Sequence, residues 1–263
     1  MPDSANASQI SDGTPSSAKV GMVTPQVNRA TQKGYSPLCS IVVAHGIALC
    51  VVTTPSVIDL LGVLAYGELT SFERTTYGAS IAPTVADKVT LAAVAAHEHA
   101  NFERISAYLV SLGVNPLDAM EPFVAPLNAF HANLEAKDWL EGLMKSYVGD
   151  GIAADFYREI STHLDDQTTE LVTDILSDST LADFAVEHLR SAIAIDPKVS
   201  GRLALWGRRM MGEMISQATV VAGSRPALQE LFLGSVNATE LTSLVNKLTV
   251  AHARRMDQLG LAS

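Results

Sequence analysis

Four acidic residues, Glu68, Glu98, Asp150 and Asp178, stand on four stretches whose neighbours recur at helical spacing. Around Glu98 the three-and-four stepping runs Leu91, Val94, Glu98, Asn101, Ile105, Tyr108, Leu112, so a carboxylate and an amide interrupt a mostly apolar seam. The same stepping gives Val57, Leu61, Leu64, Glu68, Ser71, then Leu140, Leu143, Tyr147, Asp150, Ala154, Tyr157, then Leu171, Ile175, Asp178, Ala182, Ala185, Leu189. One desolvated charge costs several kcal/mol, so four carboxylates in one interior need compensation. A pair of divalent cations would neutralise them; without metal they must share protons, with pKa values pushed upward. Solvated positions at the ends of the helices are the plain alternative for one or two of them. Asp155 competes with Asp150 for the inward position, because Gly149 and Gly151 flank Asp150 and Ala154-Asp155-Phe156 is echoed by Ala182-Asp183-Phe184.

The elements that must position these groups are helices. ELTSFER at 68–74 returns as EHANFER at 98–104, which gives the first two stretches a common register. Thr54-Pro55 opens a first helix ending near Gly78, and Thr84 with Asp87 opens a second ending near Gly113. Residues 113–136, with Pro116, Pro122 and Pro126, are expected to form a long connection. Asp138 with Glu141 opens a third helix to about residue 164, a fourth covers 168–195, and two more cover 197–223 and 239–259. Two helical hairpins joined by a long crossover predict an all-α, ferritin-like four-helix bundle with two additional C-terminal helices. Gly149-Asp150-Gly151 predicts a helix irregularity rather than a nucleotide loop. Tyr147 and Tyr157 are the candidate hydrogen-bond donors beside the carboxylates. Glu73 and Glu103, off the seam, are expected to pair with nearby arginines.

Composition bounds the rest. Hydrophobic residues make up 48% and aromatic residues only 6% of the 263, which fits a core of Ala, Leu and Val. Eighteen basic against 28 acidic residues leave a formal charge of −10, which argues against sequence-blind binding to polyphosphate or an anionic bilayer. Residues 1–36 lack hydrophobic period and are expected to form a disordered tail, ahead of an apolar segment at 37–53 and a helical domain at 54–263. The uncharged run at 35–52 has the outline of a signal-peptide core or a membrane anchor. It is broken by Pro37 and His45, falls short of the about 20 residues of a spanning helix, and lacks an Ala-x-Ala site. It reads instead as an extra apolar segment, and no membrane partner is expected. Cys39 and Cys50 form no ligand spacing, so the cytoplasm is the expected compartment.

Three runs carry a family resemblance: LLGVLAYGEL at 60–69, YVGDGIAADFYRE at 147–159 and GRLALWGRR at 201–209. Over about residues 57–261 the chain resembles the actinobacterial ferritin-like proteins grouped with the tRNA isopentenyladenosine hydroxylase, the MiaE-like family. The resemblance implies a ferritin-like fold and, for the hydroxylase, a non-haem di-iron centre that activates oxygen to modify an adenosine in tRNA. The family's ligand pattern is a Glu, a Glu-x-x-His, a carboxylate and an acidic-x-x-His. It falls here on Glu68, Glu98, Asp150 or Asp155, and Asp178. Both histidines are replaced, by Asn101 and Leu181. A carboxamide oxygen is a poorer ligand for ferrous iron than imidazole, and leucine is none, so the implied centre is degenerate. A metal-free ferritin-like scaffold or interaction protein is the alternative. Binding tRNA would need a basic surface, for which Lys198, Arg202, Arg208 and Arg209, with Arg254 and Arg255, are the candidates. A homo-oligomer is compatible with this fold.

Overall fold

Proline or a capping side chain opens the first helices. α1 (Pro55–Ser80) has Pro55 in its first turn, with the Thr54 hydroxyl paired to Ser56. α2 (Val85–Ser111) begins with the expected box, Thr84 accepting from the Asp87 amide and donating to the Asp87 carboxylate. The computed structural model describes residues 38–44, 47–161, 163–233 and 238–262, all within one unit of the chain, Ser36–Ser263. The tail expected over residues 1–36 lies outside the described residues.

The proline-rich connection is a helix. In α3 (Pro116–Asn133) the Asn115 side chain caps the Leu117 amide, and Pro122 and Pro126 sit inside the helix. Each interior proline costs about 3 kcal/mol. Burial of Ala119, Met120, Phe123 and Phe130 on one face offsets that cost, with Phe123 wholly enclosed. α3 lies so close to α1 that a Cβ on Gly62 would fall on the Ala119 carbonyl, well inside van der Waals contact. Gly62→Ala is therefore expected to destabilise the fold by about 1–3 kcal/mol, measured as a lower denaturation midpoint in urea.

The third expected helix is real but interrupted. α4 (Trp139–Lys145) passes through a π-helical turn (Ser146–Asp150) into α5 (Gly151–Ser161), so the irregularity foreseen at Gly149-Asp150-Gly151 is a widened turn ending on Asp150. The fourth is split. α6 (Asp166–Ile175) stops at Leu176, and α7 (Thr180–Ile195) restarts after Ser177-Asp178-Ser179, whose side chains cap instead of continuing the helix. α8 (Lys198–Ser224), α9 (Pro226–Leu233) and α10 (Ala238–Gln258) follow, α9 being a short helix that the periodicity did not separate.

Four of these elements close a ring: α1 on α2, α2 on α7, α7 on α4 and the π turn, and α4 back on α1. That is an all-α four-helix bundle in hairpin-crossover-hairpin order. α3, α8, α9 and α10 pack outside the ring, with Arg225 clamped on the buried Asp59 to hold the start of α9 to α1. Among the described residues the core holds two apolar clusters, one around Leu60, Leu61, Ile105 and Phe123, the other around Met144, Val148, Leu189 and Leu203.

The uncharged N-terminal run is a β-hairpin. β1 (Leu38–Ala44) pairs antiparallel with β2 (Ile47–Thr53), Leu38 opposite Thr53 and Ala44 opposite Ile47. Val and Ile runs separated by two residues ending in Gly are a hairpin signal that a reading by hydrophobicity alone passes over. Among the described residues no helix is long and apolar enough to cross a membrane.

Candidate carboxylate centre

The α1–α2 hairpin brings the echoed segments side by side. Glu98 is buried, and its Oε1 accepts hydrogen bonds from Ser71 (2.6 Å) and Thr75 (3.2 Å) on the facing helix. One turn after Glu98, Asn101 turns its amide nitrogen to Glu68, donating to Oε2 at 3.3 Å. Two carboxylates thus share a small polar patch in the seam, as the spacing of Glu68 and Glu98 requires.

The π turn adds a third. Asp150 receives a hydrogen bond on Oδ1 from Arg74 Nη2 at 2.7 Å. The outer flank of Asp150 is open, with 42% of the side-chain surface exposed, whereas Oδ2 is sealed from solvent and has no hydrogen-bond partner. Arg74 stands six residues after Glu68 on α1 and binds in several directions: to Ser71 at 3.4 Å, to Thr70 at 3.5 Å and to His131 Nε2 at 3.2 Å. A guanidinium can only donate, so His131 Nε2 accepts and its ring proton lies on Nδ1, which is buried and unpartnered. Lys145, also buried, donates to the carbonyls of His131 (3.2 Å) and Leu134 (2.7 Å) and so closes the C-terminal end of α3.

Burial dominates the electrostatics. It raises Glu68 to about 8, helped by the charges of Glu98 and Asp150 and opposed by the Asn101 hydrogen bond and by Arg74. It raises Glu98 to about 7 against the Ser71 hydrogen bond. It also pushes Asp150 upward, with the Arg74 charge pulling the other way. His131 falls to about 3 and Lys145 to about 8, both through burial first and the neighbouring Arg74 charge second. Three acids and one or two cations therefore share this interior, and the surplus negative charge is met by protons on Glu68 and Glu98 near neutral pH.

The remaining expected site residues stand elsewhere. Asp178 lies in the break between α6 and α7, not on a helix seam, where it accepts from the Thr180 amide (2.8 Å) and hydroxyl (2.6 Å) and faces His97 at 3.7 Å. The Thr180 hydrogen bond holds its carboxyl below the ordinary value. Leu181 is in the first turn of α7. Asp155 is held by Arg255 of α10 and by Arg158, and Gly151, lacking a side chain, leaves room for Arg255 to pass. Tyr147 is not beside the carboxylates: its hydroxyl donates to Gln258 at 2.5 Å on α10. Tyr157 is buried, and its phenol is pushed upward by burial first and by the charge of Glu68 second. Glu103 faces His99 at 3.9 Å rather than an arginine, while Arg104 pairs with Asp174.

The expected basic surface is largely committed within the chain. Arg202 pairs with Asp138 and Glu141, Arg208 donates to the Ala262 carbonyl, and Arg209 donates to the Asn133 carbonyl while lying over Trp206. Arg74, His131 and Lys145 are the residues of the centre that spacing did not single out. Arg74 was visible in the echo, where Glu-x5-Arg recurs at 98–104; His131 was hidden by the prolines that disguised α3.

Among the described residues no group of three or more His, Cys, Asp or Glu side chains is arranged to hold a metal ion. Comparison with known proteins gives one family: a model described as the ferritin-like domain of actinomycetes matches residues 53–235. No curated protein matches the chain.

Proposed function

From the premise that the chain belongs to the actinomycete ferritin-like domain family, we propose that it is a metal-free member, a structural or interaction scaffold whose bundle core is neutralised by Arg74 and by protons. One observation carries this reading: Arg74 is bonded to Asp150 at 2.7 Å and lies within the charge field of Glu68 and Glu98, a place a cation must fill. The donor set fits a guanidinium better than two divalent ions. At the position where the resemblance to the tRNA hydroxylase implies an imidazole, Asn101 presents N–H to Glu68 and so offers a hydrogen-bond donor instead of a lone pair.

Protons complete the network. Glu98 Oε2 and Asn101 Oδ1 are both buried and without a partner, one helical turn apart. A proton on Glu98 Oε2 makes the two complementary, with Glu98 donating to Asn101 and Asn101 to Glu68. On this reading the surface arginines of α8 serve the fold, and tRNA hydroxylation finds no support in their placement.

Metal analysis of protein purified under reducing, iron-replete conditions tests the proposal. The expected content is well below stoichiometric iron or manganese, unchanged in Glu98→Ala. Near-stoichiometric metal that Glu98→Ala abolishes would restore the oxygen-activating enzyme.

A further inference from the structure

Five of the eight methionines gather in the cluster built by α4, α7, α8 and α10: Met144, Met210 and Met256 are fully enclosed, and Met211 and Met214 pack against them. Methionine as a gap-filler accounts for that much. It does not account for His252. This side chain is 4% exposed, one turn before Met256 on α10, and neither Nδ1 nor Nε2 has a hydrogen-bond partner. Leaving imidazole nitrogens unpaired in an apolar interior costs about 1–3 kcal/mol, which a Leu or Phe there would not incur. Burial also lowers the ring's proton affinity, so it is a neutral base with a free lone pair.

The packing of α8 against α10 places sulfur beside this ring. A Cβ on Gly207 would lie 2.7 Å from both Sδ and Cε of Met256 and 3.0 Å from Cε of Met144, so two thioethers meet over bare backbone. α10 runs antiparallel to α5, with Lys247 on Glu159 and Arg255 on Asp155, while α4, which the π turn carries on into α5, runs with α8, with Arg202 on Glu141 and Gly207 against Met144; α8 and α10 are therefore antiparallel. One turn onward along α8 come Met210 and Met211, and one turn back along α10 comes His252, so these fall at the same level.

We propose that His252, Met256 and Met210, with Met144 at the edge, form a buried binding site for Cu(I). Thioether and imidazole are soft or borderline donors that select this ion among the first-row metals. All of these donors are neutral, which suits a monovalent cation, and a bound ion supplies the partner the imidazole lacks. The site is distinct from the carboxylate centre and does not depend on whether that centre holds metal.

Anaerobic transfer of Cu(I) from its bicinchoninate complex to the full chain tests this, in a Cys39→Ser, Cys50→Ser background so that thiols do not compete. One Cu(I) per chain is expected to transfer. His252→Phe and the volume-conserving Met256→Leu should each weaken transfer by about tenfold or more, while Met120→Leu, in the other core cluster, leaves it unchanged. If His252→Phe fails to fold, Met256→Leu decides alone. No transfer to the parent chain, full transfer to folded His252→Phe or to Met256→Leu, or equal loss in Met120→Leu overturns the site.

Discussion

Arg74→Met is expected to lower the unfolding free energy by about 1.5–3 kcal/mol at pH 8, the cost of losing charge-assisted hydrogen bonds around a half-open carboxylate. Methionine fills the space but leaves Asp150 without its 2.7 Å donor and removes the positive charge that opposes the raised pKa values of Glu68 and Glu98. Arg74→Lys should recover only part of the loss, since one ammonium cannot reach Asp150, Ser71, Thr70 and His131 together. Urea midpoints at constant slope are the measurement. The loss should shrink as the pH is lowered to 5, because the acids then carry protons and need less cation. A loss under about 1 kcal/mol at pH 8 would mean that the guanidinium does not hold the core.

Glu98→Gln should do the opposite. A carboxyl whose folded pKa is raised, here from 4.5 to about 7, favours the fold fully below its unfolded value and loses that contribution as pH climbs through the folded value. The glutamine amide keeps an oxygen for Ser71 and Thr75 and supplies a permanent N–H where Glu98 needs a proton. The variant and the parent are therefore expected to match near pH 4.5. The variant should gain progressively up to pH 8, on the order of 3 kcal/mol there. Using the difference between the two proteins removes the opposing contribution of His131, whose lowered pKa destabilises the fold as pH falls below about 6.5. A flat difference across this range would show that folding does not raise the Glu98 pKa.

How far the sequence could be read follows from which forces were local. Cap chemistry at Thr84 and Asp138 and apolar stepping at 57–64 and 91–112 are short-range, and they located α1, α2 and the start of α4 to within a few residues. Glu68 and Glu98 were legible as a pair because each interrupts an apolar seam in a shared register, whereas Asp150 was only one of two candidates beside Asp155. α3 was not legible, since its two interior prolines are a local argument against a helix that only burial of Phe123 and Phe130 against other elements overcomes. Asp178 misled for the converse reason: its three-and-four spacing is right for a seam, but Ser177 closes α6 on the Asp174 carbonyl and Asp178 accepts from the first amide of α7, so the helix breaks there. Arg74 was in plain view yet fell outside the apolar stepping. Its role emerges only when the π turn delivers Asp150 to it, and periodicity cannot foresee a turn that breaks the period.

Thermal unfolding at pH 7 with and without 1 mM Mn(II), run in parallel on the parent chain and on Arg74→Met, addresses the neutralisation of the core most directly. Any ion that binds the folded state alone must raise its melting temperature. The parent is expected to show no shift, because Arg74 already occupies the charge position, while Arg74→Met should gain stability from the ion. A rise of several degrees in the parent that disappears in Glu98→Ala would contradict this and make the carboxylates a metal centre after all.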